Sequence, residues 1–250
     1  MFNVTSGPNT GTQGAGLTGA NGQFAFTYTG MGPTGTDSIQ ASIGTLASNL
    51  VFHTWTSSPL TSGSACNGTF NGTINENVTV RSGQECVLIG GTVNGNISQT
   101  GGTLTISHLT VKGNLQVQNG GTVSVGPNAL IQGNLQIQNV PASAAASQIC
   151  RATVQGNVQV QNTGGAVQIG SASAGCAGNI ISGNLQVQNN AGATGVVGNI
   201  VSGNLQDQNN TAPTQVTDNT VTNILQCENN TSITGGGNTA SLKQGQCSAF

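Results

Sequence analysis

Val111-Lys-Gly-Asn-Leu-Gln-Val-Gln-Asn119 decides the fold, because versions of it return again and again toward the C-terminus. They stand at 131–139 (IQGNLQIQN), 154–162 (VQGNVQVQN), 181–189 (ISGNLQVQN), 201–209 (VSGNLQDQN) and, decayed, at 221–229 (VTNILQCEN). Looser forms lie upstream at Val93 (VNGNISQ) and near Glu76 (NENVTV). Counted from glycine to glycine, through Gly95, Gly113, Gly133, Gly156, Gly183 and Gly203, the period is about 20 residues with two longer turns.

Within each copy apolar and polar residues alternate, Leu115 and Val117 against Gln116 and Gln118, which is the period of a half-buried strand. A second strand precedes it, marked by the column Val93, Val111, Ile131, Val154, Ile181, Val201 and Val221. A third lies in stretches such as 103–107 (TLTIS) and 122–125 (TVSV). One unit cannot bury its own apolar edge, whereas coils stacked about 4.8 Å apart bury a continuous column. The pattern therefore predicts a parallel β-helix over 66–250, of about eight coils and roughly 40 Å long. Parallel connections prefer the right hand, and outward loops at 142–150 and 170–177 suit a right-handed solenoid of unequal coils.

Stacking turns sequence positions into columns. Gln116, Gln136, Gln159, Gln186, Gln206 and Gln226 form one outward ladder, and Gln118, Gln138, Gln161, Gln188 and Gln208, ending in Glu228, form another. Stacked amides hydrogen-bond along such an axis. Their first role is structural; their functional reading is a flat amide face that grips a polysaccharide or another surface. Asn119, Asn139, Asn162, Asn189, Asn209 and Asn229 close each strand where the chain turns, and asparagine tolerates left-handed dihedrals.

Only four of the 250 residues are Lys or Arg and six are Asp or Glu, so electrostatic nucleic-acid binding is excluded. No apolar run is long enough to span a bilayer. The 39 glycines follow no triplet period, which excludes collagen. Six cysteines allow fifteen pairings, and the spacing selects Cys66–Cys86, Cys150–Cys176 and Cys227–Cys247, each one coil apart. The first and last would staple the two ends. Three such bridges imply an oxidising, extracytoplasmic setting. A metal site would need closely spaced Cys and His ligands, which do not occur, and no cofactor is implied.

Residues 1–57 differ from the rest. The order SGPN (6–9), ANGQFAFTYTG (20–30), GTDSIQAS (35–42) and a closing strand ending in Trp55 resembles the C-terminal part of a bacterial immunoglobulin-like domain of the invasin/intimin type. The resemblance implies a partial Ig-like β-sandwich acting as a stalk. The opening strands of such a domain are missing, so Met1 would be an internal start or the chain a piece of a longer one. A Pro/Gly/Ser linker at 58–65 follows. From 66 onward, the GNLQVQN coils and the ending LQCENN, TGGGNTA and KQGQC resemble uncharacterised secreted bacterial β-helix repeat proteins bounded by cysteine coils, which implies export and no particular activity.

The chemistry of a β-helix lyase or hydrolase requires acids clustered on one outer face. The solenoid offers Glu76, Glu85, Asp207, Asp218 and Glu228. Asp207 occupies the column of Val117 and Val187, so its side chain points into the core, and the one weak acidic site to consider is Asp207 with Asp218 or Glu228. His53 and His108 are far apart in sequence and give no Ser/His/Asp set; each reads as a turn or surface residue, and Trp55 as a core residue. The Gly-Asn pairs precede strands rather than helices, so they are no phosphate loop. Ice binding would call for flat ranks of Thr-x-Thr, but Thr103, Thr105 and Thr122 do not persist through successive coils. The sequons at Asn3, Asn67, Asn71, Asn77 and Asn96 read as chance in a chain of this composition. The expected function is a secreted or surface structural and adhesive protein, not an enzyme, with glycans or cell-surface components as partners. The rivals are a polysaccharide lyase or glycoside hydrolase and a self-assembling fibre subunit.

Overall fold

Alternation in the repeat becomes register in the fold. Leu115, Gln116, Val117 and Gln118 pair in parallel with Leu135, Gln136, Ile137 and Gln138, and the match continues through the coils starting at Val158, Leu185, Leu205 and Leu225. The preceding strands stack in the same way, Thr92–Val93 on Thr110–Val111 and then on Leu130–Ile131. The third strand of each coil stacks too, Glu85–Ile89 under Thr103–Ser107 under Thr122–Val125.

A computed structural model describes residues 1–28, 35–55 and 65–250, and the chain divides into two compact units, Met1–Ser58 and Pro59–Phe250. In the second unit the first two strand columns join into one 16-stranded sheet, and the third column forms a 9-stranded sheet. The result is a parallel β-solenoid nine strands deep, about one coil more than the repeat count predicts. Among the described residues no helix is long and apolar enough to cross a membrane.

The core is the set of inward columns. Leu115, Val117, Val123, Val125 and Ile131 of one coil are all fully buried, and their columns stay buried to Leu225, apolar except where Gln99, Ser147, Thr194, Asp207 and Thr214 enter them. Each such apolar side chain contributes about 1.5–3 kcal/mol relative to an exposed one, and the stack makes that term additive along the axis.

Both corners have physical causes. Asn119, Asn139, Asn162, Asn189, Asn209 and Asn229 all take φ between 54° and 57°, the left-handed turn predicted for them. The repeated glycine has a different cause. A Cβ on Gly133 would lie 2.6 Å from both Asn114 Oδ1 and the Gly113 carbonyl, and one on Gly203 would lie 2.5 Å from Asn184 Oδ1. Glycine is therefore required there by close stacking of successive corners. In the decayed copy Asn223 and Ile224 stand where Gly203 and Asn204 stood, and the corner is lost: Thr220–Glu228 runs as a single strand. The price appears as a register shift against Thr239–Gly245 between Val221 and Ile224.

The first unit corrects an expectation. Strands β1 (Phe2–Ser6), β2 (Gln13–Gly14), β3 (Gly35–Ile43), β4 (Leu46–Ala47) and β5 (Val51–Trp55) form one antiparallel sheet ordered β2-β1-β3-β4, with β5 also on β3. Among the described residues there is no second sheet, so an Ig-like sandwich is not shown. The strand predicted at 20–30 is absent over its described part, 20–28. Phe24, Phe26 and Tyr28 instead lay their rings over the sheet, Phe26 stacking on Phe2 with centroids 5.4 Å apart and Tyr28 meeting Trp55 edge-on at 5.6 Å. Asp37 is buried beneath this cluster and accepts hydrogen bonds from the Asn9 backbone at 3.0 Å, the Asn9 amide at 2.7 Å, the Tyr28 hydroxyl and the Trp55 indole. The linker expected at 58–65 lies outside the described residues except for Ala65, whose backbone bridges to Thr79.

Candidate functional site

The disulfides follow from stacking. Cys66–Cys86, Cys150–Cys176 and Cys227–Cys247 have Cα separations of 5.3, 4.6 and 5.1 Å, and no cysteine is free. Cys66, Cys86, Cys227 and Cys247 are fully buried, whereas Cys176, at the end of the short 3-10 helix Ala174–Cys176, is half-buried.

Of the residues predicted to form a ligand face, the glutamines come together as ladders. Gln116 donates to Gln136 at 3.1 Å, Gln136 to Gln159 at 3.3 Å, Gln159 to Gln186 at 3.3 Å, Gln186 to Gln206 at 3.0 Å and Gln206 to Gln226 at 3.2 Å. In the second column Gln161 donates to Gln188 at 3.0 Å and Gln188 to Gln208 at 3.2 Å, while Gln138 crosses over to Gln159 at 3.2 Å. Gln118 is half-buried at the start of this column. At its last member the first ladder crosses to the second: Gln226 donates to Glu228, which ends the second column, at 2.8 Å. Each donating amide keeps a second N–H, and each accepting amide oxygen keeps a further lone pair except that of Gln159, which accepts from both Gln136 and Gln138.

Beside the first ladder runs a column of asparagines from the Gly-Asn corners. The Asn134 backbone N–H donates to Asn114 Oδ1 at 2.8 Å, and the same bond links Asn157 to Asn134 at 2.9 Å and Asn184 to Asn157 at 2.8 Å. Between the two columns lies a shallow groove of about 250 Å³ lined by Asn134, Gln136, Asn157, Gln159, Asn184 and Gln186. It is uncharged, built on paired strands, and repeats its donors and acceptors at the strand spacing of about 4.8 Å.

The acidic candidates are not brought together. Asp207 is fully buried, pairs in register with Cys227, and points inward. Glu228, the partner of Gln208 in the same pair of strands, points outward and is exposed. Asp218 is exposed at the other corner, where its φ of 55° marks it as a turn residue. Asp207 Oδ1 accepts from the Asn210 amide at 3.0 Å, while Oδ2 has no partner. Burial pushes its pKa up to about 7, against the pull of donors on Asn210 and Asn230. Among the described residues no three His, Cys, Asp or Glu side chains lie close enough to hold a metal ion. His108 is a corner residue with φ 52°, and His53 packs edge-on against Trp55 with centroids 4.6 Å apart.

Three features escape the sequence reading. Asn179, Asn199, Asn219 and Asn238 form a buried ladder, each amide donating to the next carbonyl oxygen at 2.9–3.0 Å. Asn190, Asn210 and Asn230 form a second one. Their signal was the asparagine doublet that ends later copies and the Asn that precedes Ile180, Ile200, Thr220 and Thr239. The third is an outward rank, Thr73, Thr92, Thr110, Thr153, Thr220 and Thr239, on the short strands, interrupted by Leu130, Ile180 and Ile200. No family model matches the chain, and neither a curated protein nor a solved structure matches it.

Proposed function

We propose that this chain is an extracellular structural and adhesive protein whose solenoid presents a rigid, uncharged amide surface to neutral glycans. One observation carries the reading: two glutamine columns held in register by the fold, with the amide groove of Asn134, Gln136, Asn157 and their successors between ladders. A hydroxyl is both donor and acceptor, and a primary amide answers it on both counts. Because ladder bonds and the stacked backbone hold the amides in place, little side-chain entropy is lost on binding. Three disulfides suit an oxidising, extracellular setting. The N-terminal sheet, with its apolar face under Phe24, Phe26 and Tyr28, is proposed as part of a bacterial Ig-like stalk.

The rival readings find less support. Lyase or hydrolase chemistry needs converging carboxyls, and Asp207 and Glu228 lie on opposite sides of one wall. Fibre assembly needs open sheet edges. Here the rung Thr239–Gly245 places Lys243 beneath the inward Leu225, its ammonium donates to the Phe250 carbonyl, and Gln246–Ala249 folds over that end. An inward charge and a covering turn are what protected edges carry. The test is a panel of polysaccharides and host glycans scored together for retention of the purified chain and for release of reducing or unsaturated ends. Retention without release is expected; release would turn attention to the acids.

A further inference from the structure

On the nine-stranded sheet, outside both glutamine ladders, an open cleft of about 460 Å³ crosses successive rungs. Its wall is a third amide column: Gln148 pairs with Gln168, Gln168 with Gly195, and Gly195 with Gln215. Its floor is apolar, made by Ala166, Ala193 and Pro213. At Gly195 the column is broken. A side chain there would run into the Gln168 amide, which swings into the gap and donates to the Gly170 carbonyl. The glutamines of the ladders spend their amides on one another; Gln148 and Gln215 are exposed and, among the described residues, bond to no other side chain.

We infer that this cleft is a separate binding site for a neutral oligosaccharide chain lying along the solenoid axis. The ligand class rests on the glycan reading above; the location does not. The C–H face of a sugar ring covers the Ala166, Ala193 and Pro213 floor, and its hydroxyls meet the Gln148 and Gln215 amides. No charged side chain lines the cleft, so uronic or sulfated chains would lose the solvation of their charge without a partner. An extended peptide fits less well. It gains affinity by pairing its backbone with a sheet edge, and this cleft is a sheet face whose own backbone is already paired.

The experiment titrates the full chain with neutral hexasaccharides (β-1,4-glucan, β-1,3-glucan and mannan) and with hexagalacturonate, following the glutamine side-chain amide signals. Three variants are compared: Gly195→Gln, Gln148→Ala with Gln215→Ala, and Gln136→Ala with Gln159→Ala. Gly195 does not use left-handed backbone, so the main chain tolerates Gly195→Gln, which fills the cleft by pushing the flexible Gln168 amide off the Gly170 carbonyl; its melting transition is measured alongside to show that the fold is kept. At least one neutral hexasaccharide should bind saturably at the cleft, read from the Gln168 amide signal, about tenfold or more weaker there in the first two variants, whereas the third should remove only the binding that shifts the ladder amides. Loss confined to the Gln136/Gln159 variant would overturn the cleft and leave the ladder groove as the site. Equal binding of hexagalacturonate would overturn the recognition argued from neutrality. Binding of no saccharide by the parent chain would overturn the cleft together with the glycan reading.

Discussion

Replacing Asp207 with valine should stabilise the solenoid at pH 8 by more than it does at pH 4. The carboxyl is fully buried, Oδ2 has no partner, and its pKa is raised to about 7. An unfolded chain would titrate it near 3.9. The folded state therefore binds a proton that the unfolded state has already lost, and stability falls as pH rises between those two values. At 1.36 kcal/mol per unit, the span of about three units costs about 4 kcal/mol, incurred from roughly pH 4 and complete just above pH 7. Asp207→Val removes that term at high pH and continues the Val160 and Val187 column that pairs into it. Asp207→Asn should also flatten the profile, because it keeps an oxygen for Asn210 without titrating. The assay is thermal or denaturant unfolding from pH 4 to 8, with hydrogen exchange on the last coils to locate the change. A flat wild-type profile over that range, or a loss of several kcal/mol in Asp207→Val at pH 8, would refute the argument and mean that the carboxylate has a partner.

The first unit should respond to acid with the opposite sign: burial alone would raise the Asp37 pKa, but donors on Asn9, Trp55 and Tyr28 outweigh it and hold the pKa below the usual carboxylate value. Its stabilisation is present above about pH 4 and lost as pH falls further, so the Trp55 fluorescence transition should weaken in acid and Asp37→Asn should abolish that dependence; a pH-independent transition counts against the buried carboxylate. Asn199→Ala should cost about 3 kcal/mol or more, measured by unfolding, because it strands the Asn179 N–H groups and the Ile169 carbonyl that Asn199 satisfies; a cost below about 1 kcal/mol would mean that water replaces the ladder. Under mild reductant, mass mapping should find Cys150–Cys176 opened first, because Cys176 is only half-buried while the residues of the other two bridges are fully buried. Prior opening of Cys66–Cys86 or Cys227–Cys247 would show that the ends fray before the loop.

How far the sequence can be read depends on which interactions are periodic. The LQVQ segments align without gaps, so one correct placement of Leu115 fixes Leu135, Leu185 and Leu205, and it also fixes Asp207 as inward. The six turn asparagines were legible for the same reason. The third strand column was harder to follow, because loops of unequal length separate Ser124 from Gln148 and Gln168 from Gly195. The broken amide column and its cleft emerge only when those residues are brought to one face. The buried asparagines were missed because a polar side chain in a corner looks like a turn signal, and only the fold shows that its amide faces the carbonyl of the coil before. The stretch 20–30 alternates as a strand would, but Phe24, Phe26 and Tyr28 cover the sheet without joining it, since alternation reports which face is apolar and not whether a neighbour is there to pair with.

By itself, then, the sequence determined the solenoid, its period, its inward and outward faces and the partners of its six cysteines, because each of these follows from a translation of one coil onto the next. Tertiary structure alone decided which amides satisfy one another and which remain free, and that residues 1–55 make a single sheet over their described part. Those outcomes depend on distances between residues with no fixed spacing, and a repeating pattern carries no information about them.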